Sequence, residues 1–520
     1  MQPKDTRSCR KKVYASRTDR VKSVNLSSES VFQANLGGTA EAVFRPKCWD
    51  EWRIFYLLKR REKMEFLNYE KRVDTSDINY ILEGFKNGTI KDGDNITVKG
   101  TLHRIREMSG FAFVILRSAR MVFQCVWEEG ISQCDIKDYS VEECVVVSGT
   151  LIVEERSRLG FDIRINDMKR ISGKAEVPPV EISNDKKIAK LNLNTLLDNR
   201  IIALRNPKTR AILKIADGVM YAFRQFLREE GFTEFVPPKM VTAGAEGGAD
   251  MFEVDYFGQK AYLNQSPQTY KQIMVGVFQK VFTVGPVFRA EKYSTNRHIN
   301  EFQGLDLEMG FIDSFEDIME LEARMFKYMF KLLNEEYAPE LEMYLGQGNR
   351  LPELESFPKI KFMDAKKLFA DAHPGPQGEN SLLEPDFAPE EEKWLGEYFL
   401  KEYNSPIVFI THYPTVKRPF YTMEDPADPN YTLSFDMLLY GLEVTTGGQR
   451  IHDYEMQVAK MQGRGMNIDD FEDYLTMHKY GMPPHGGLGL GLERIVQNIL
   501  GLDNIKQATA FPRDRDRIRP

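Results

Sequence analysis

Between residues 94 and 172 apolar and polar residues alternate in short runs, at 96–100, 111–116, 121–127, 144–153 and 161–165. A period of two marks a half-buried strand, and five such runs separated by glycine and polar turns predict a small closed barrel such as the OB-fold. Past residue 201 the period lengthens. From Thr209 to Glu230 the apolar residues Ile212, Ile215, Val219, Phe223, Phe226 and Leu227 recur at helical spacing, and Gly231 supplies a C-cap. Strand-type runs follow at 280–289 and 302–312, then a helix over 314–335. Pro-rich turns and two helices over 350–405 read as an insertion, and Leu488 to Leu500 reads as a glycine-rich turn entering a helix. The chain thus divides into a basic extension over 1–90, partly disordered and partly helical, a barrel over 91–174, and a linker or hinge over 175–198 with Pro178-Pro179. A second domain over 199–520 contains the helical insertion at about 345–405.

Composition narrows the class. The 520 residues are 42% hydrophobic and 28% charged, with no apolar run near the ~18 residues of a membrane span and no apolar stretch behind Met1. Five cysteines, at 9, 48, 125, 134 and 144, form no Cys-x-x-Cys pair, which fits a reducing, cytosolic setting. Net charge is −7, but residues 1–72 hold 17 Lys+Arg against 9 Asp+Glu, so an acidic body carries a basic tail. Such a tail suits an RNA or membrane-surface partner, or is a solvated extension; residues 50–72 could form a basic amphipathic helix.

The chemistry concentrates in three places. Phe288-Arg289-Ala290-Glu291 is followed by Asn296-Arg297-His298-Ile299-Asn300-Glu301-Phe302 and then Asp306-Leu307-Glu308. A strand, polar loop and strand would set Arg289, Glu291, Arg297, His298 and Phe302 around one cavity as a phosphate clamp, an acceptor and an aromatic plate. Glu443 and Thr446, in Glu443-Val444-Thr445-Thr446-Gly447-Gly448-Gln449-Arg450, offer hard oxygens suited, with a triphosphate, to Mg²⁺. Gly486-Gly487-Leu488-Gly489-Leu490-Gly491-Leu492-Glu493-Arg494 permits close backbone approach to a ligand. None of these is a Walker loop or a dinucleotide fingerprint.

On these motifs the chain resembles the class II aminoacyl-tRNA synthetases, and among them the aspartyl enzymes of the eukaryotic and archaeal type. Residues 231–239, with Pro238, resemble the first motif at the dimer interface, 288–309 the second, and Gly486 to the end the third, with an aspartyl-type Phe511-Pro512-Arg513-Asp514; the resemblance covers roughly 92–520. It implies an α+β fold: an antiparallel sheet flanked by helices as catalytic domain, preceded by an OB-fold barrel and the basic extension.

The resemblance also implies roles. Arg289 would hold the α-phosphate and the amino-acid carboxylate, Glu291 and Phe302 the adenine, Arg297 and His298 the outer phosphates and Arg494 the γ-phosphate, with Ile299, Gly491, Leu492 and Glu493 completing the ATP site. Glu246 would sit in a mobile loop closing over the amino acid, near Gln268, and Asp306 would hold the α-amino group. Thr446 stands where the family usually shows serine. Lys271, in Gln265-Ser266-Pro267-Gln268-Thr269-Tyr270-Lys271, together with Arg450 would select aspartate, because asparagine would leave two desolvated cations half-paired. On the barrel, Phe113 would stack on and Gln124 hydrogen-bond to anticodon bases, with Arg106 beside them; the alternative is that Phe113 is core, one of Phe111 and Phe113 lying inside.

The implied reaction is ATP-dependent activation of L-aspartate and its transfer to aspartate tRNA by a cytoplasmic homodimer, with ATP as substrate, Mg²⁺ as metal, no membrane partner, and room for a multi-synthetase complex. An asparaginyl enzyme and a non-catalytic RNA-binding paralogue are the rivals.

Overall fold

Strands β1 (Asn95–Glu107), β2 (Phe111–Arg117), β3 (Val122–Glu128), β4 (Cys144–Val153) and β5 (Phe161–Arg170) close into a barrel of order β1-β2-β3-β5-β4, which fits the OB-fold. Val98, Val114, Cys125, Val147 and Ile163 fill it, each fully buried. The computed structural model describes residues 73–119, 121–242 and 251–520. The basic segment 1–72, with the helix expected over 50–72, and the loop bearing Glu246 lie outside the described residues.

Three expectations about this half change. Helix α1 (Ile78–Lys86), capped by the Asp77 side chain accepting from Asn79 N, buries Ile78 and Ile81 in the barrel core, so the barrel begins before residue 90. Phe111 and Phe113 do not divide between inside and outside. Residues two apart share a face, and both rings lie half-buried on the outer face, edge to face at 5.3 Å, while Ala112 and Val114 point inward. Residues 175–198 are no bare hinge: Val180, Ile182 and Ile188 bury one another, and Asn206 Nδ2 donates to Ile182 O at 2.8 Å. Across this junction Arg117 and Arg205 both pair with Glu142, at 2.8 and 2.9 Å.

The catalytic half is built on helix α2 (Pro207–Glu229). Asn206 caps it by accepting from Thr209 N, Pro207 takes the first turn where its missing N–H costs nothing, and Gly231 at φ +82° ends it. Its apolar stripe and that of a later long helix, over Glu316–Glu336, cover one face of an eight-stranded sheet. The strands are β6 (Thr233–Glu234), β7 (Lys280–Phe288), β8 (Glu301–Gly310), β9 (Lys359–Lys361), β10 (Ile407–Thr411), β11 (Ser434–Leu439), β12 (Leu442–Gln449) and β13 (His485–Gly491). Their order is β9-β10-β11-β12-β13-β8-β7-β6, antiparallel except for the two edge pairs. Helix α3 (Gln268–Phe278) follows a small three-stranded sheet of Met240–Val241, Glu253–Tyr256 and Gln259–Leu263, α4 is the Glu316–Glu336 helix, and the insertion holds α5 (Phe362–Ala372), α6 (Pro376–Leu383) and α7 (Pro389–Tyr403). The insertion is therefore not wholly helical, since it also gives the sheet its edge strand β9.

The end of the chain differs from its reading as well. His485–Gly491 is a strand, not a turn, running into α8 (Leu492–Leu500). Alternation explains it: Leu488 and Leu490 face the core, and Gly487, Gly489 and Gly491 face the opposite side. Among the described residues no helix is long and apolar enough to cross a membrane.

Candidate active site

The polar face of the sheet opens into a cavity of about 350 Å³. Gln268, Lys271, Arg289, Glu291, Arg297, His298, Ile299, Phe302, Asp306, Glu443, Thr446, Arg450, Gly491, Glu493 and Arg494 all line it, so strands far apart in sequence bring nearly every expected site residue together. Leu492 does not belong; as the first residue of α8 it faces the hydrophobic core. Pro238 is exposed on the surface after β6.

Strand β8 explains the row of side chains. Leu305 and Leu307 go to the core, which leaves Phe302, Gly304, Asp306 and Glu308 successive on the cavity side. Opposite them on β13, Gly304 pairs with Gly491, Asp306 with Gly489 and Glu308 with Gly487. The glycines make room for carboxylates: a Cβ on Gly489 would lie 2.9 Å from Asp306 Oδ1, and one on Gly487 2.3 Å from Glu308 Oε2. Only Gly491 is open enough to serve the close ligand approach read from the motif.

Glu308 is the residue the sequence reading passed over. Fully buried, it accepts from Arg450 Nε at 2.9 Å and stands 3.5 Å from Lys271 Nζ. Lys271 Nζ also donates to Asp306 Oδ1 at 3.1 Å and Leu488 O at 2.8 Å, and Arg450 Nη2 to Gly487 O at 2.8 Å. Both cations thus have carboxylate partners within the protein itself. Burial pushes the Glu308 carboxyl up, but the charges of Arg450 and Lys271 outweigh it and hold the group below the usual carboxylate range. The signal was available: strand alternation from Phe302 through Asp306 ends on Glu308. Beneath the cluster His485 is buried, and burial lowers its imidazole to about 4, so it is neutral.

The other end of the cavity is more open. The Arg289 guanidinium lies 5.5 Å over the Phe302 ring. Arg494 Nη1 donates to Glu443 O at 2.9 Å, and Thr446 Oγ1 donates to Glu443 Oε1 at the same distance. Residues 443 and 446 should face opposite sides of a regular strand. A bulge between Glu443 and Thr445, opposite Met437 and Leu438, turns them to one side, as bulges at sites commonly do. Glu443 and Thr446 thereby present a carboxylate and a hydroxyl oxygen, a hard donor pair that fits Mg²⁺ once phosphate oxygens join it.

Arg297 Nη1 pairs at 3.0 Å with Glu392 of α7. Burial, with the charge of Glu443, raises the Glu392 carboxyl to about 7. His298, beside Arg494, is lowered by burial and by that charge, and Thr295 Oγ1 bonds its Nδ1 at 2.7 Å. Glu493 is turned to the backbone: its two oxygens accept from Gln303 N, each at 3.2 Å, and burial raises it to about 7. Arg418, paired with Asp436 at 2.8 Å, is a further lining residue the sequence did not suggest.

On the barrel, Arg106 and Phe113 are cross-strand partners with the guanidinium 5.6 Å over the ring. Gln124 shares that outward face and donates from Nε2 to Asp162 Oδ2 at 2.9 Å.

A family profile of tRNA synthetases class II (D, K and N) matches residues 192–515. Aspartate–tRNA(Asp/Asn) ligase of Deinococcus radiodurans is 41% identical over 82% of this chain and 96% of its own. Aspartate–tRNA(Asp) ligase of Pyrococcus abyssi is 36% identical over 82% and 97%. Among solved structures, asparaginyl-tRNA synthetase from Pyrococcus horikoshii complexed with asparaginyl-adenylate superimposes with a TM-score of 0.74 at 31% identity, covering 82% of this chain and 97% of that one. With the second and third motifs on adjacent strands around one cavity, the first at the edge of the same sheet, and a profile matching well over half its length, the chain belongs to the class II tRNA synthetases of the D, K and N group.

Proposed function

We propose that the chain is an aspartate–tRNA ligase, which activates L-aspartate with ATP and then esterifies the 3′ end of aspartate tRNA. One observation carries this reading. A buried Lys271–Glu308–Arg450 cluster stands at one end of the cavity and Arg289, Arg297 and Arg494 at the other. The relatives named aspartate–tRNA ligases support the same amino acid.

Aspartate binding is an exchange of partners. Its α-ammonium takes Asp306, which in the structure accepts from Lys271. Lys271 and Arg450 then meet the β-carboxylate while Glu308 keeps them aligned, with Gln268 on the cavity wall. A neutral amide would not replace the charge lost at Lys271.

Arg289 holds the α-phosphate against the α-carboxylate, Phe302 stacks on adenine, Glu291 accepts from its amino group, and Ile299 and Gly491 shape the nucleotide wall. Carboxylate oxygen attacks the α-phosphorus, pyrophosphate leaves toward Arg297, His298 and Arg494, and the tRNA ribose hydroxyl then attacks the mixed anhydride, releasing AMP. Positioning and charge neutralisation suffice, with no side-chain nucleophile. Glu443 and Thr446 would hold Mg²⁺, which would supply further neutralisation of phosphate charge. The barrel face of Arg106, Phe113 and Gln124 reads the anticodon, the segment at Pro238 forms a homodimer interface, and the enzyme acts in the cytoplasm.

Arg289→Ala tests the central role. Its activation rate, measured by ATP–pyrophosphate exchange, is expected to fall by about 10²–10³-fold with tRNA filter binding nearly unchanged; equal losses in both would remove Arg289 from the reacting centre. One observation favours a second reading, an asparaginyl enzyme: Glu308 already neutralises both cations and could accept from an amide N–H. Charging assays with each amino acid decide between them.

A further inference from the structure

Residues set apart as an insertion reach the nucleotide end of the cavity. Helix α7 opens with three glutamates that have separate fates. Glu390 is exposed, Glu391 turns inward to the buried Lys366 at 2.9 Å, and Glu392 accepts from Arg297 Nη1 at 3.0 Å. The Glu392 and Arg297 side chains are only 15% and 27% exposed. The helix beneath Glu392 is fixed by backbone packing. A Cβ on Gly396 would come within 2.3 Å of Gly441 N, and one on Gly441, at φ +78°, within 2.8 Å of Lys393 Cα. Helix α7 therefore rests directly on the β11–β12 turn, two residues before Glu443.

An arginine on a polar loop must give up rotamer freedom before it can grip a phosphate, and that ordering subtracts from affinity. A guanidinium offers several N–H groups in one plane, so anchoring one edge presets the rest. We propose that Glu392 is a positioning residue of the nucleotide site, pinning one edge of Arg297 so that its remaining N–H groups face the outer phosphates of ATP. The inference rests on the proposed contact between Arg297 and those phosphates. It makes the insertion part of the catalytic apparatus, coupled to the Glu443 hairpin through the glycine contact.

The test is steady-state ATP–pyrophosphate exchange on the full chain, with Glu392→Ala, Glu392→Gln, Arg297→Ala and the Arg297→Ala/Glu392→Ala double variant. Glu392→Ala is expected to raise KM for ATP and for pyrophosphate about tenfold, to change kcat less than about twofold, and to leave aspartate KM in place. Glu392→Gln, which keeps an acceptor oxygen, recovers part of the loss and guards against a folding defect in the alanine variant. In the Arg297→Ala background the effect of Glu392→Ala disappears. A Glu392→Ala effect of equal size in both backgrounds, a parallel rise in aspartate KM, or a fall in ATP KM overturns the proposal. An unchanged ATP KM in Arg297→Ala alone would instead take Arg297 off the phosphates and overturn the parent assignment with it.

Discussion

The two ends of the cavity are charged by the same residue types and built on opposite physical terms. At the amino-acid end, Lys271 and Arg450 are at most 5% exposed and both pair with the fully buried Glu308. At the nucleotide end, Arg297, Arg494 and Glu443 keep 27–34% of their side chains in contact with solvent. Charges removed from water interact strongly and cannot be left unpaired, whereas half-solvated charges are cushioned by water and salt. Selection between two isosteric amino acids needs the first arrangement. Binding and releasing a flexible triphosphate needs the second.

The largest test of this contrast is Glu308→Gln. Removing the carboxylate takes from buried Arg450 its paired carboxylate and leaves buried Lys271 with Asp306, and breaking such an arrangement typically costs about 3–5 kcal/mol. Urea unfolding should show a loss of that order and aspartate activation should collapse; a stable, active variant would break the comparison. Next, Gly487→Ala puts a Cβ 2.2 Å from Leu307 O and 2.3 Å from Glu308, whereas Gly491→Ala meets nothing closer than 3.9 Å. The first should destabilise the fold by about 1–3 kcal/mol and the second by well under that, its effect showing in ATP KM.

Glu322 sharpens what keeps Glu308 ionised. It is equally buried, on α4 behind the sheet, but among the described residues its hydrogen-bond partner is only the Thr445 hydroxyl at 2.6 Å, and burial raises it to about 8. Here the folded state holds a proton that the unfolded state releases near the ordinary 4.5. Its stabilising contribution is therefore complete below about pH 4.5 and is lost as pH rises through about 8. Stability should fall by a few kcal/mol at most across that window, and Glu322→Gln should flatten the profile in pH-dependent urea melts. Cation pairing, not burial, is then what separates the two glutamates. The smallest effect is ionic: raising salt from about 0.05 to 0.5 M should increase ATP KM severalfold while aspartate KM moves less than about twofold.

Much of this was legible in the sequence, because alternation and helical spacing are local. Five barrel strands, helix α2 and the β7–β8 hairpin fall where the pattern put them, and of the described residues that the family resemblance implied for ATP and the amino acid, all but Leu492, taken into the core by the turn of α8, line the cavity. What failed needed partners distant in sequence. A run of glycines reads as a turn until the neighbouring strand supplies the carboxylates that occupy the space beside it. Glu443 and Thr446 share a face only because a bulge shifts their register. Glu308 becomes the counter-ion of Arg450, and Glu392 the anchor of Arg297, only when strands and helices more than ninety residues apart are set side by side. The sequence by itself determined which residues carry charge and, where alternation or helical spacing runs unbroken, which face each takes. Tertiary structure alone decided which charges neutralise one another, because pairing depends on distances of a few ångströms that residue order does not encode.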